Sequence, residues 1–259
     1  MINDIHIGPI TFHMYGLMIA IGLCLAVTIS SYRAKKNGLD EDLIYKILWN
    51  SLIGGFLGTR ILYYITVFPS ILRDPSILWD FKTGYVVYGG IIGGILANVI
   101  YFRVKKIAFL PYFDLVLPQV ALAQSVGRLG CFFAGCCYGM ETNLPIGITY
   151  TKSQFAPNGV ALMPTQLISS AGDLLIFILL VCYAKKQRSN GTIGAVYLIL
   201  YSAGRFAIEF LRNDARGNVG VLSTSQFIAI GLFILGIILF VAFNKGQKNL
   251  QNIQTSEQE

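Results

Sequence analysis

Charge is what this chain is shortest of. Only 13% of its residues are Asp, Glu, Lys or Arg, against about 25% in soluble domains, which excludes an ordinary water-exposed surface. No basic segment precedes the first apolar run and no small-residue cleavage site follows it, so a signal peptide is not read there. No C-x-x-C pair occurs among the five cysteines, which argues against a thiol-redox centre. No inverted internal repeat is visible, which counts against a transporter. No polar stretch is long enough to form a separate soluble domain.

What fills the chain is apolar. Hydrophobic residues make up 54% and the mean hydropathy is +0.62. Crossing about 30 Å of hydrocarbon takes roughly 20 such residues in a helix. Runs of that kind occur near 14–32, 43–68, 84–102, 113–138, 164–184, 193–212 and 222–243. The fourth opens between Pro111 and Pro118, which leaves room for a re-entrant start. The expected fold is therefore an all-α multi-pass membrane protein with seven transmembrane helices over residues 1–246. The polar tail at 247–259 reads as disordered.

The cations orient those spans. Arg33-Ala34-Lys35-Lys36, Lys46, Arg103-Val104-Lys105-Lys106, Lys185-Lys186-Gln187-Arg188, Lys245 and Lys248 all fall on one side if the spans alternate. The other side keeps only Arg73, Lys82, Lys152, Arg212 and Arg216. Positive residues stay in the cytoplasm, so the N-terminus is expected outside and the C-terminus cytoplasmic. That bias accounts for the net charge of +7 without a nucleic-acid partner. The outer segment at about 140–163, with Pro145 and Pro157, is expected to form a small external cap. Residues 69–83, with Trp79 and Phe81, read as a short interfacial arm.

Against this background a few ionisable residues stand out. Arg60, Arg128, Arg205 and Glu209 all lie inside spans, where each costs about 2.5–3.5 kcal/mol on insertion scales and marks a functional interior by default. Arg205 and Glu209 are four residues apart and can neutralise each other on one helix face. Asp114 and Asp173 sit nearer span ends. One obvious in-span carboxylate cannot serve three arginines, and the excess positive charge implies an external anion. A guanidinium fork suits phosphate, and the simplest phosphate inside a membrane protein belongs to a phospholipid. Tyr201, four residues before Arg205, shares its face.

Small residues surround these arginines. Gly54, Gly55 and Gly58 precede Arg60, and Gly127, Gly130 and Gly135 flank Arg128. Close helix contact is one reading, favoured for Gly93 and Gly94. Close approach of backbone to a ligand is the competing reading at Gly89, Gly90 and Gly127, which flank polar groups. Cys24 and Cys182 stand alone in apolar runs and read as core residues. Cys131, Cys136 and Cys137 cluster near the end of span four; a zinc site wants four ligands, so packing is the favoured role and no metal is expected. Outside the cytoplasm, a disulfide from Cys131 to Cys136 or Cys137 is the alternative.

Five blocks occur in order: HMYGLMIAIG at 13–22, YGGIIGG at 88–94, GRLGCFFAGCCYG at 127–139, MPTQL at 163–167 and YSAGRFAIEFLR at 201–212. Together they resemble the phosphatidylglycerol:prolipoprotein diacylglyceryl transferase family, and the resemblance covers nearly the whole chain. It implies a bacterial cell-membrane enzyme of seven spans with its N-terminus outside. It implies transfer of diacylglycerol from phosphatidylglycerol to the lipobox cysteine thiol of a prolipoprotein, with glycerol phosphate released and no cofactor. The catalytic residues it implies are Arg128, Arg205, Tyr88 and Tyr15. Phosphatidylglycerol binding would fall to Arg128, Arg60, Tyr201, Glu209, Arg212, Gly89, Gly90 and Gly139. A transporter of an anionic solute, or a relative acting on another lipid or acceptor, is the alternative.

The chain departs from the family pattern at several places. Tyr88-Gly89-Gly90 stands where the family commonly has His-Gly-Gly, a histidine proposed as the thiol's base. Cys131 replaces an Asn, Ala134-Gly135-Cys136 replaces Asn-Gly-Glu, and Met163-Pro164-Thr165-Gln166-Leu167 replaces an HPSQL-like run. Phenols titrate at about 10 in water and are weak bases. Tyr88 therefore orients the thiol, or another group takes its proton. Nearby arginines depress a thiol's pKa, which lessens the need for a base.

The orientation is testable by labelling. Cysteines introduced at 140–163 should react with an impermeant reagent on intact cells, and those at 185–188 should not; labelling at 185–188 would overturn the seven-span count.

Overall fold

Helices form wherever the apolar runs predict them. The computed structural model describes residues 4–7, 10–81, 83–186, 188–214 and 217–256. Lys82, Gln187, Arg216 and the tail residues 257–259, on which parts of the charge and tail readings fall, lie outside the described residues. Long helices run over Met14–Lys36 (α1), Asp42–Thr66 (α2), Val87–Val104 (α4), Phe109–Ala134 (α5), Thr165–Tyr183 (α6), Thr192–Glu209 (α7) and Thr224–Ser256 (α8), with a short α3 at Phe68–Ile71. Five of them are long and apolar enough to cross a membrane: α1, α4, α5, α6 and the Thr224–Lys245 part of α8. The other two are less apolar for a visible reason. α2 carries Asp42, Lys46, Asn50 and Arg60, and α7 carries Arg205 and Glu209.

Some boundaries differ from the sequence reading. α5 runs unbroken from Phe109 through Pro118, so its start is a plain helix and not a re-entrant break. Pro111 lies in its first turn, where a missing N–H costs no intrahelical bond. α5 stops at Ala134, before the expected 138, because Gly135 turns left-handed at φ 74°. The all-α expectation also omitted three antiparallel pairs: Asp4–Ile7 with Ile10–His13 (β1, β2), Ile148–Thr149 with Ala161–Leu162 (β3, β4), and Asn218–Val219 with Leu222–Ser223 (β5, β6). Strands of two to four residues are too short to leave a period-2 signal in sequence.

The chain divides into two compact units, Ser31–Tyr112 and a second made of Met1–Ser30 with Phe113–Glu259. The Ser31–Tyr112 unit is built on the α2–α4 contact. Gly54 and Gly58 face Gly89 and Gly93, each pair one helical turn apart, so the two backbones meet directly. A Cβ on Gly58 would run into the carbonyl of Gly89, and one on Gly54 would stand 2.5 Å from the Ala97 Cβ. Asn98 of α4 ties the same contact by donating to Ser51 Oγ at 2.8 Å. Helix contact alone thus accounts for Gly89, and for Gly90, whose Cβ would meet Thr59 Cγ2 at 2.8 Å.

In the other unit, α5, α6 and α7 enclose a core of Leu117, Ala121, Ile176, Leu180, Ile193 and Tyr197. Ser125 and Ser170 lock α5 to α6 by donating to each other's carbonyls at 2.8 and 2.9 Å. Asp114 accepts from the backbone N–H groups of Gly191 and Gly194 at 2.6 and 2.8 Å. Its charge therefore caps α7, as a carboxylate at a helix N-terminus should, and does not serve an arginine. The 140–163 segment has its own small core of Tyr150, Ala156 and Leu162.

The glycine contact carries a clear expectation. Gly58→Val should overpack α2 against α4 by about 1–3 kcal/mol and lower the melting temperature of the detergent-purified protein. Gly231→Ala, whose Cβ meets nothing within 4 Å, should leave it unchanged or raise it.

Candidate functional site

Every arginine highlighted by the sequence is buried or half-buried, so each must find a partner in the fold or outside it. Arg60, 4% exposed, is held inside the Ser31–Tyr112 unit. It donates to the Thr83 carbonyl at 2.8 Å and to Tyr64 OH at 2.6 Å. Its guanidinium also lies over the rings of Tyr64 and Phe81, both at 4.8 Å, and Tyr85 at 5.3 Å. Such stacking is favourable when the cation is desolvated. Arg60 thereby staples the segment carrying Phe81 to α2. Phe81, expected in an interfacial arm, is part of this cage. Tyr88, adjacent in sequence to the contact glycines, is 38% exposed in the same unit.

Arg128, Tyr201 and Arg205 come together in the other unit. They line a cleft of ≈ 260 Å³ between α5, α6 and α7, together with Asp173, Gly172 and Gly204. A Cβ at Gly172, Gly204 or Gly127 would meet nothing within 4 Å, so these glycines leave space open. Tyr201 stacks on Tyr197 at 5.6 Å with 13° between the rings, which fixes its orientation.

The two arginines differ in how much of their fork is used. Arg205 pairs with Glu209 at 2.7 Å and donates from Nη2 to Ser225 Oγ at 2.8 Å. The i,i+4 pair that the sequence allowed does form. Arg128 has an ion pair from Nε to Asp173 at 3.9 Å, with its side chain 22% exposed. Among the described residues it makes no hydrogen bond. The expectation of an uncompensated positive excess needs correcting here, because Asp173 lies in the interior of α6 and within electrostatic reach of both Arg128 and Arg205. Its weak geometry nevertheless leaves the Arg128 fork largely unspent. The sequence signal for Asp173 was a polar run, Ser169-Ser170-Ala171-Gly172-Asp173, inside an otherwise apolar helix.

Beside this cleft lies the loop that follows α5. Tyr15 at the start of α1 is packed against Gly130, whose Cβ would meet the Tyr15 carbonyl at 3.2 Å. Tyr15 also lines a cavity of ≈ 650 Å³ with His13 and Cys136. Arg212 donates from Nε and Nη2 to the two carboxylate oxygens of Asp214, both at 2.9 Å, and lies within electrostatic reach of Cys137. Gly139 sits where two chain segments cross. Its N–H donates to the Met163 carbonyl at 3.1 Å, and a Cβ there would stand 2.7 Å from the carbonyls of both Leu211 and Met163. Gln166 donates to Tyr150 OH at 3.1 Å; burial pushes the Tyr150 phenol up to about 12, the hydrogen bond from Gln166 offsetting part of that. It stays neutral as a structural post.

The predicted site residues therefore fall into three groups. Arg128, Tyr201 and Arg205 share one cleft, with Glu209 paired to Arg205 behind it. Tyr15, Arg212 and Gly139 surround the loop after α5. Arg60, Tyr88, Gly89 and Gly90 belong to the Ser31–Tyr112 unit.

Comparison with known proteins bears on what these groups do. A family profile described as Prolipoprotein diacylglyceryl transferase matches residues 4–242. The phosphatidylglycerol--prolipoprotein diacylglyceryl transferase of Clostridium tetani (strain Massachusetts / E88) is 45% identical over 239 residues, covering 90% of this chain and 96% of its own. A second such enzyme, from Clostridium perfringens (strain 13 / Type A), is 44% identical over 229 residues, covering 88% of this chain and 90% of its own. That of Clostridioides difficile (strain 630) is 37% identical over 236 residues, covering 91% and 92%. With its arginine cleft inside the matched region and the match running almost end to end, the chain belongs to the prolipoprotein diacylglyceryl transferase family.

Proposed function

We propose that this chain transfers the diacylglyceryl group of phosphatidylglycerol to the thiol of the lipobox cysteine in prolipoproteins, in a bacterial cell membrane. The observation that carries the reading is the Arg128 fork: buried among apolar helices, facing a cleft, and met by a carboxylate only at 3.9 Å. Such a group is poised for an anion of its own size, and phosphate accepts both arms of the fork.

In this reaction a sulfur–carbon bond forms at the terminal glycerol carbon of the diacylglyceryl group while its carbon–oxygen bond to phosphate breaks. The electron pair leaves with the phosphate oxygen, and glycerol phosphate departs. Arg128 meets the developing negative charge, and a fixed cation placed where charge appears lowers the barrier more than any other single device in sites of this kind. Arg205, braced by Glu209 and Ser225, adds a second cation on the other wall, and Tyr201 offers a hydroxyl to the same group. Gly172 and Gly204 leave room for the lipid. Arg212, Gly139 and Tyr15 shape the neighbouring loop, and Arg60, from α2, holds the segment of Phe81 and Thr83 in place. The thiol's proton goes to a base or to the medium. Tyr88, where the family pattern has histidine, is assigned to orient the thiol or accept its proton. All seven long helices span the bilayer in this reading, with residues 140–163 outside as a cap and the tail after 246 in the cytoplasm.

Transfer of diacylglycerol to a lipobox peptide by the purified protein in phosphatidylglycerol micelles tests the assignment directly. Arg128→Lys keeps the charge and loses the fork; it should cost about 100-fold or more in transfer while the protein still inserts, and Arg205→Lys should be similarly impaired. Full activity in Arg128→Lys would mean that no phosphate is held bidentately there.

Tyr88 is read from the same assay. A general base contributes typically ~10²–10⁴-fold, so Tyr88→Phe should lose transfer strongly and Tyr88→His should keep or restore it. A loss below about tenfold in Tyr88→Phe would limit the residue to positioning.

A further inference from the structure

We propose that Cys131, Cys136 and Cys137 form an open three-thiolate site for a thiophilic d¹⁰ metal ion, with its fourth coordination position facing the cavity beside Tyr15 and His13. Neither the resemblance nor the transfer chemistry assigns this site, and the proposal stands whether or not the transferase reading does.

Geometry comes first. The three Sγ atoms all lie within 4.8 Å of one another. An ion bound at about 2.3 Å from each sulfur holds them about 4 Å apart in trigonal or tetrahedral arrangement. The spacing therefore admits an ion with side-chain adjustment alone. All five cysteines are free thiols, so no disulfide competes for these three.

The backbone is shaped to make this cluster. α5 presents Cys131 on its last turn, then Gly135 at φ 74° and Cys137 at φ 61° reverse the chain so that the next two thiols fold back on it. A left-handed φ is uncommon for cysteine, and packing alone does not call for one. The reversed segment is then pinned from α6. Gln166 donates from Nε2 to the Cys136 carbonyl at 2.7 Å, and Thr165 donates from Oγ1 to the Cys137 carbonyl at 2.8 Å. These are neighbouring residues on a helix start, so the donor set is held before an ion arrives. Preorganised ligands with such supporting bonds are what a metal site needs.

Charge agrees as well. Three thiolates around a divalent ion leave a net charge of −1. Arg212 lies within electrostatic reach of Cys137, and Arg128 lies one helical turn before Cys131. Three protein ligands are one short of the four in a closed structural zinc site, which matches the open kind. The missing position has an access route, because Cys136 lines the ≈ 650 Å³ cavity with Tyr15 and His13. Water or a small thiol can reach it there.

The test uses the full-length, reduced protein in detergent, with Zn²⁺ and Co²⁺ as the probes. After equilibration with Zn²⁺ and desalting, about one ion per chain should remain by elemental analysis. The Cys131→Ser/Cys136→Ser/Cys137→Ser protein should retain less than about a tenth of that, and a Cys24→Ser/Cys182→Ser control should retain it fully. Because the triple variant could fail to fold, Co²⁺ titration of the unaltered protein supplies an independent reading. It should give a sulfur-to-cobalt charge-transfer band that shifts when a small thiol is added, as an open fourth position requires. No retained Zn²⁺, retention undiminished in a folded triple variant, a cobalt band without thiolate character or indifferent to added thiol, or a disulfide among the three in protein isolated without reductant would each overturn the proposal.

Discussion

A guanidinium group inside an apolar helix bundle must be compensated, and the rest of this structure follows from how each one is. Insertion scales put the cost at about 2.5–3.5 kcal/mol per charge, a large share of a domain's stability. Arg60 is met by carbonyls, a phenol and four aromatic faces, the fourth being Tyr63. Arg212 is met by a bidentate carboxylate, and Arg205 by Glu209 and Ser225. Arg128 alone of these four is left with a distant carboxylate and an open cleft. Three arginines thus hold elements together, and the fourth is the one best placed to hold something else.

Glycine works on the same problem from the opposite side. Where backbones must touch, as between α2 and α4, small residues let carbonyls and Cα atoms meet. Where a cleft must stay open, as at Gly172 and Gly204, the absent side chain leaves room. The two uses look identical in sequence. Gly89 and Gly90 stand beside a polar motif and invited a ligand reading, yet α2 already occupies the space a Cβ would need.

The loop after α5 joins these themes. Its left-handed turns at Gly135 and Cys137 end the helix early and gather three thiols, while α6 secures the loop through Thr165 and Gln166. Arg128 and Arg212 flank that loop. A chemically distinctive cluster therefore lies beside the residues assigned to phosphate.

The long helices, their apolar character and the positions of the buried arginines were all legible in the sequence, because a 20-residue apolar run has few alternatives to a helix and an interrupting charge is conspicuous. The Arg205–Glu209 pair was legible too, since i,i+4 spacing is local geometry. The partners of Arg60, Arg128 and Asp114 were not. Thr83, Asp173 and Gly191 lie 23, 45 and 77 residues away from them in the chain, and nothing in a one-dimensional pattern says which distant group a side chain will meet. The short strands were missed because so few residues carry no period. The meeting of Cys131, Cys136 and Cys137 was equally out of reach: their spacing lacks a zinc-ligand pattern, and only two left-handed residues, set by tertiary packing, turn adjacent thiols back onto the helix they follow.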